Sequence, residues 1–177
     1  MKKIFSILSV VIITLCTFTS CDEDLMVSTS LKGTWEGYMD TYYKKYKEKA
    51  TYTEIAFFKD AGDKWGDGYW IDHFSARPGD YYYSRIYWEV KNQDIYITFK
   101  DGNSSIVIHD YHLNNDHFTG WFYDSNNTET TFDLKKTRDS YDYYDDDYGY
   151  GYSKATRSGN NSESVEIPVR MFGKIAE

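Results

Sequence analysis

Three of the four histidines in this 177-residue chain, His109, His112 and His117, fall within nine positions, with Asp110 and Asp116 between them. Imidazole and carboxylate ligands so close together could hold a transition-metal ion. On a β-strand, however, His109 and His112 point to opposite faces because side chains alternate. His117 lies across a turn and could approach only His112. The set reads as solvent-face histidines in a hairpin, and no metal or other cofactor is expected.

Acidic side chains offer two further chemistries. Asp139, Asp142, Asp145, Asp146 and Asp147 could present oxygens to Ca²⁺, but they lack the spaced ligand set and internal glycine of an EF-hand loop. A solvated acidic tail is the better reading. Glu36, Glu54, Asp72, Glu89 and Asp110 could supply two carboxylates for glycoside cleavage. Nothing in their spacing selects a pair. The chain has no Gly-x-Ser-x-Gly elbow, no phosphate-cradling glycine loop and no His-Glu-x-x-His. No enzymatic activity is expected.

Aromatic residues are the richest resource. Trp65, Trp70, Trp88 and Trp121, with Tyr81, Tyr82 and Tyr83, could bind sugar rings or apolar ligands, and such rings also fill β cores. By parity Trp88 joins Ile86 and Val90 in the core, whereas Trp121 opposes Phe118, Gly120 and Phe122 and faces outward. Trp65 lies in a Gly/Asp-rich stretch, and Gly66 and Gly68 read as a loop. Exposed together, Trp65, Tyr82 and Trp121 would form a platform for a small apolar or glycan ligand.

The elements that must position these residues read as short strands. The chain is 19% aromatic, with 19 Tyr, 10 Phe and 5 Trp, a composition that suits a pleated, half-buried surface. Eight strand segments follow between Leu31 and about Lys136: 33–43, 51–58, 68–74, 81–90, 94–100, 104–113, 117–124 and 128–136. "DIYITFK" (94–100) alternates most cleanly, and "DGN" (101–103) is a hairpin turn. The expected fold is all-β, an antiparallel meander of about eight strands closed as a barrel or packed as a sandwich. Beyond Arg138, residues 139–177 are rich in Asp, Tyr, Gly and Ser, and a disordered tail with one strand at 165–175 is expected.

The N-terminus supplies an address. Lys2 and Lys3 precede the apolar "IFSILSVVIITLCTF", which has the length of a secretory signal rather than of a membrane span. Thr19 and Ser20 then lead into Cys21, an arrangement that resembles a bacterial lipobox with Phe18 where Leu is usual. It implies that residues 1–20 are removed and that Cys21 becomes an acylated first residue holding the protein to a lipid bilayer. Cys16 leaves with the signal, so neither a disulfide nor a thiolate nucleophile is expected. Residues 21–30 would form a lipidated tether. Asp22, Glu23 and Asp24 resemble the acidic export signal of surface-exposed lipoproteins of Bacteroidota, or else belong to a solvated linker. The net charge of −8 becomes −10 without Lys2 and Lys3. That balance argues against nucleic acid, whose binding rests on Lys and Arg.

"LKGTWEGY" looks like the opening of a lipocalin-like domain, in which Gly33 and Trp35 would plug a closed barrel end. "WEVKNQDIYITF" and "IHDYHLNNDHFTGWF" are similar to the small lipocalin-like lipoproteins of Bacteroides and relatives. The resemblance spans roughly residues 31–135 and implies a fold and an outer-membrane location, but no activity. A typical lipocalin also packs a later Arg over the Trp, and no residue here is assigned to that role. The function expected is a lipid-anchored envelope lipoprotein with a binding domain at 31–138. The alternatives are an accessory lipoprotein docking on an envelope protein partner, or a hydrolase or inhibitor of a glycan system. An open barrel mouth lined by Trp and Tyr would favour a small ligand, and a barrel filled by its own side chains, with an exposed apolar patch near 165–172, would favour a partner.

Overall fold

The computed structural model describes residues 22–43, 48–74, 81–100, 104–123, 127–139, 151–153 and 170–172. Residues 1–20, expected to be a signal, Cys21, the turn expected at 101–103, and Asp142, Asp145, Asp146 and Asp147 lie outside the described residues. Alternating apolar positions set the register of eight antiparallel strands: β1 (Gly33–Met39), β4 (Tyr52–Phe57), β5 (Trp65–His73), β6 (Tyr81–Lys91), β7 (Asp94–Phe99), β8 (Ser105–Leu113), β9 (His117–Tyr123) and β10 (Glu129–Arg138). Consecutive strands pair, and β1 pairs with β10, so the sheet closes on itself as a lipocalin-like barrel. All eight strand segments expected from the sequence are present. Two short strands, β2 (Thr41–Tyr43) and β3 (Glu48–Lys49), extend one end.

The barrel is filled. Trp35, Trp70 and Trp88 are each 0% exposed, and they pack with Phe57, Phe99, Phe118, Phe122 and Phe132 and with the inward isoleucines of β4, β6, β7 and β8. Each of the three interior indoles has an acceptor. Trp35 donates to the Leu31 carbonyl at 2.7 Å, Trp70 to Asp72 Oδ1 at 3.1 Å, and Trp88 to the Phe58 and Asp67 carbonyls at 3.2 and 3.0 Å. Burying an indole N–H without a partner would forfeit part of what the ring gains by burial.

The stretch expected to be a tether is a helix, α1 (Glu23–Leu31), lying across one barrel end. Asp22 caps it, with its side chain accepting from the Leu25 amide at 3.4 Å, and Glu23 and Asp24 place negative charge in its first turn. Leu31 is fully buried and Val27 packs on the core. Opposite this end, Tyr82, Ala50 and Phe74 form a small buried cluster.

The Gly-x-Trp segment explains how α1 is held. Gly33 has φ of +125°, and an added Cβ there would strike the Arg138 carbonyl oxygen. A register shift between Thr34 and Trp35 then pairs Trp35 with Lys136. The Lys136 Nζ sits 4.9 Å from the Trp35 ring centroid and donates to the Ser30 carbonyl at 3.0 Å. Lys136 therefore fills the role that the sequence left unassigned.

Of residues 139–177, the described parts are Asp139, β11 (Gly151–Ser153), paired with Tyr81–Tyr83 of β6, and β12 (Arg170–Phe172), paired with β2. β12 falls within the strand expected at 165–175. β11 lies in the stretch expected to be disordered.

Replacing Lys136 by Met keeps the apolar stem over Trp35 but removes the cation and the hydrogen bond to Ser30. The expected loss is about 1–3 kcal/mol in urea unfolding. Trp35→Ala is expected to cost more, about 3–5 kcal/mol.

Candidate functional site

With the lumen occupied by side chains, the concave surfaces among the described residues lie outside it, on the outer wall and around α1 at the barrel end. The groove with the most aromatic lining, about 300 Å³, runs across the outward faces of β4, β5 and β6. Trp65 gives it an exposed ring, with the half-buried Phe58 and Tyr83 and the buried Tyr69 in its wall, and Asp67, Arg85 and Lys100 give it charge. Its size is at the small end of ligand pockets. Trp65, 51% exposed, forms one edge, with the Tyr87 ring 6.3 Å away. Tyr69 packs edge-on against Phe58 at 5.6 Å and lies 6.1 Å from Tyr83. Lys100 Nζ reaches Asp67 Oδ1 at 2.6 Å across the groove. This pair is solvated on both sides and fixes geometry more than it stabilises.

The loop reading of Gly66 and Gly68 is corrected, because both lie within β5, which starts at Trp65. At Gly66 an added Cβ would collide with the Phe58 carbonyl oxygen, and the Trp88 indole nitrogen sits 3.2 Å from that position. The glycine lets β4 and β5 close over Trp88 and turns Trp65 outward.

The platform expected from Trp65, Tyr82 and Trp121 does not form. Tyr82 is 3% exposed and points inward, on the same parity as Ser84, Ile86 and Trp88. Trp121 does face outward, half-buried beside Tyr123 at 5.3 Å, but on β9. In the closed strand order β9 lies four strands from β5 in either direction, across the barrel from Trp65. Only Trp65 belongs to the groove. Phe58 and Tyr69, its partners in the groove, were not singled out from the sequence, although each shares outward parity with its neighbours.

The histidine cluster also changes. A register shift between Val107 and Asp110 inserts one residue into β8. His109 and His112 therefore both turn outward rather than to opposite faces, and both are exposed, as is His117. His109 Nδ1 lies 2.9 Å from Asp94 Oδ1. Among the described residues, no three metal-ligating side chains converge.

Among the acids, Glu36 and Glu54 stand directly opposite each other across β1 and β4. Glu54 Oε1 accepts from the Tyr69 hydroxyl at 2.6 Å, and Glu36 Oε1 accepts from Thr137 Oγ1 at 3.1 Å. Burial raises the Glu54 carboxyl above its ordinary range; the Tyr69 hydrogen bond opposes the shift, and the Glu36 charge adds to it. Tyr69 is itself raised, first by burial and then by Glu54. Neither carboxylate lines the groove. Asp72 is fully buried, holding Thr53 Oγ1 at 2.6 Å and the Trp70 indole. Glu89 lies on β6 and Asp110 on β8, so neither forms a facing pair with Glu54.

No protein-family model matches the chain, and no curated protein matches it in sequence. The geometry therefore carries the functional argument.

A carboxyl raised by the fold binds its proton more tightly when folded than when unfolded. The stability it contributes is present below its ordinary value of 4.5 and is lost as pH rises through the raised value. Glu54→Gln keeps an acceptor for Tyr69 and removes this titration. Thermal unfolding across pH should show the variant gaining on the parent as pH rises above that range, with the gap closing in acid.

Proposed function

We propose that the protein is a lipid-anchored envelope lipoprotein of the small lipocalin-like kind, acting by binding rather than by catalysis, with a glycan as its ligand. The carrying observation is the filled barrel beside an open aromatic groove. An apolar ligand needs an enclosed apolar space, and here that space is taken by Trp35, Trp70, Trp88 and the phenylalanines. The outer groove pairs ring faces with a charged rim of Asp67, Arg85 and Lys100, the mix that suits a sugar, whose C–H face stacks while its hydroxyls hydrogen-bond. Acylation of Cys21 rests on the lipobox-like sequence at 19–21, and several acyl chains hold a protein stably where one does not.

The filled barrel also favours the accessory reading, in which the outer wall meets an envelope protein. The same groove would then receive an aromatic or charged side chain of that partner.

The test is a glycan-array screen of the mature chain, followed by titration of any hit. Trp65→Ala should weaken binding about tenfold or more, equivalent to about 1.4 kcal/mol. Trp121→Ala, across the barrel, should leave affinity unchanged. Absence of any glycan ligand, or equal binding by the Trp65 variant, would overturn the glycan assignment and leave the partner reading.

A further inference from the structure

The residues expected to tether the domain belong to its folded body, and that fixes how it stands on a membrane. The Asp22 carboxylate caps α1 and pairs with Lys64 Nζ at 2.7 Å. The Asp24 carboxylate accepts the amides of Asn92 and Gln93 at 3.2 and 2.7 Å. Those two residues form the β6–β7 turn, with φ of 55° and 67°. Asp24 thus ties the first turn of the helix to the barrel rim, and Lys64 braces it from the β5 side at 3.8 Å. A third tie comes from Lys59, whose ammonium donates to Ser28 Oγ at 3.0 Å and Thr29 Oγ1 at 3.3 Å. Among the described residues, these ties start at Asp22.

We infer that the barrel stands directly on the bilayer, with its α1-covered end against the lipid headgroups and no spacer between anchor and fold. This rests on the acylation of Cys21 proposed above. One peptide step, about 3.8 Å between Cα atoms, separates Cys21 from the helix cap. A flexible stretch of the nine residues 22–30 would instead give a reach of about 16 Å and let the domain tumble. With the acyl chains in the hydrocarbon layer, the cap lies at headgroup depth.

The surface around the cap suits that place. Met26, 59% exposed, is on the outer side of α1, and Trp65 stands beside Lys64. Apolar side chains with a cationic neighbour are favoured at the headgroup boundary, where the exposed Lys91 can extend its ammonium group toward water or phosphate while Lys64 stays paired with Asp22 and Asp24. The groove then opens on the side wall with Trp65 at its edge nearest the lipid, so its ligand is one met at the membrane surface.

The acylated protein offers a clean test, because after loss of Cys16 and acylation of Cys21 an introduced cysteine is its sole thiol. Met26→Cys and Glu129→Cys place a fluorophore at the two ends of the barrel, both at exposed positions. The ten residues of β10 set the ends roughly 20 Å apart along the axis, allowing for strand tilt. Each labelled protein is reconstituted into vesicles of phosphatidylethanolamine and phosphatidylglycerol carrying a nitroxide on the headgroup. Strong quenching at position 26 and little at 129 is expected, and a flexible Gly/Ser insert between Cys21 and Asp22 should erase the difference. Equal quenching in protein that floats with the vesicles would overturn the orientation alone. A parent chain that does not float, behaving like Cys21→Ser, would overturn the anchor and the orientation together. Because the unlabelled chain carries Trp65 at the same end, quenching of its fluorescence by brominated lipid, lost in Trp65→Phe, gives the same answer without a new cysteine.

Discussion

The closure of the barrel depends on Trp35. Its ring lies in the lumen, its indole N–H holds the last carbonyl of α1, and its face carries the Lys136 ammonium, which in turn holds Ser30. Four elements meet on one side chain: the helix, the first strand, the last barrel strand and the core. Two backbone features bring them there, the positive φ of Gly33 and the register shift that sets Lys136 opposite the ring. A half-buried cation over an aromatic face, with its proton donated to a carbonyl, is a directional contact that hydrophobic packing alone would not supply.

That closure has a functional consequence. A barrel of eight strands is just wide enough for side chains to fill, or for one small ligand if they are small. Here three tryptophans and five phenylalanines occupy it, so the inner wall is committed to stability. The binding role proposed above would therefore fall to the outer wall, where outward residues of adjacent strands lie within contact distance and can be aromatic or charged without disturbing the core. Trp65 turns outward because Gly66, next to it, makes room for Trp88 inside. The same two positions thus serve both the packed interior and the exposed groove.

Much of this was legible in the sequence. The alternation in β6 and β7, the turn clusters between strands and the Gly33–Trp35 signature lead to the barrel, because a half-buried strand leaves a period of two. The parity of Tyr82 with Ile86 and Trp88 already placed it inside, although its position in a run of tyrosines suggested a surface. Other features had no local mark. Helix α1 shows no apolar stripe, and only its acidic first turn behind Asp22 signalled a start. Gly66 and Gly68 read as breakers because a close backbone approach and a loop use the same residue. The bulge in β8, the seat of Lys136 and the separation of Trp65 from Trp121 are products of closure, and closure is tertiary.

The central claim is that Trp35 closes a barrel with no free lumen, and native-state hydrogen exchange of the indole N–H groups tests it most directly. The Trp35, Trp70 and Trp88 indole protons should exchange only with global unfolding, whereas that of Trp65 should exchange rapidly. Exchange of the Trp35 proton at a rate like that of Trp65, under conditions where the barrel stays folded, would contradict it.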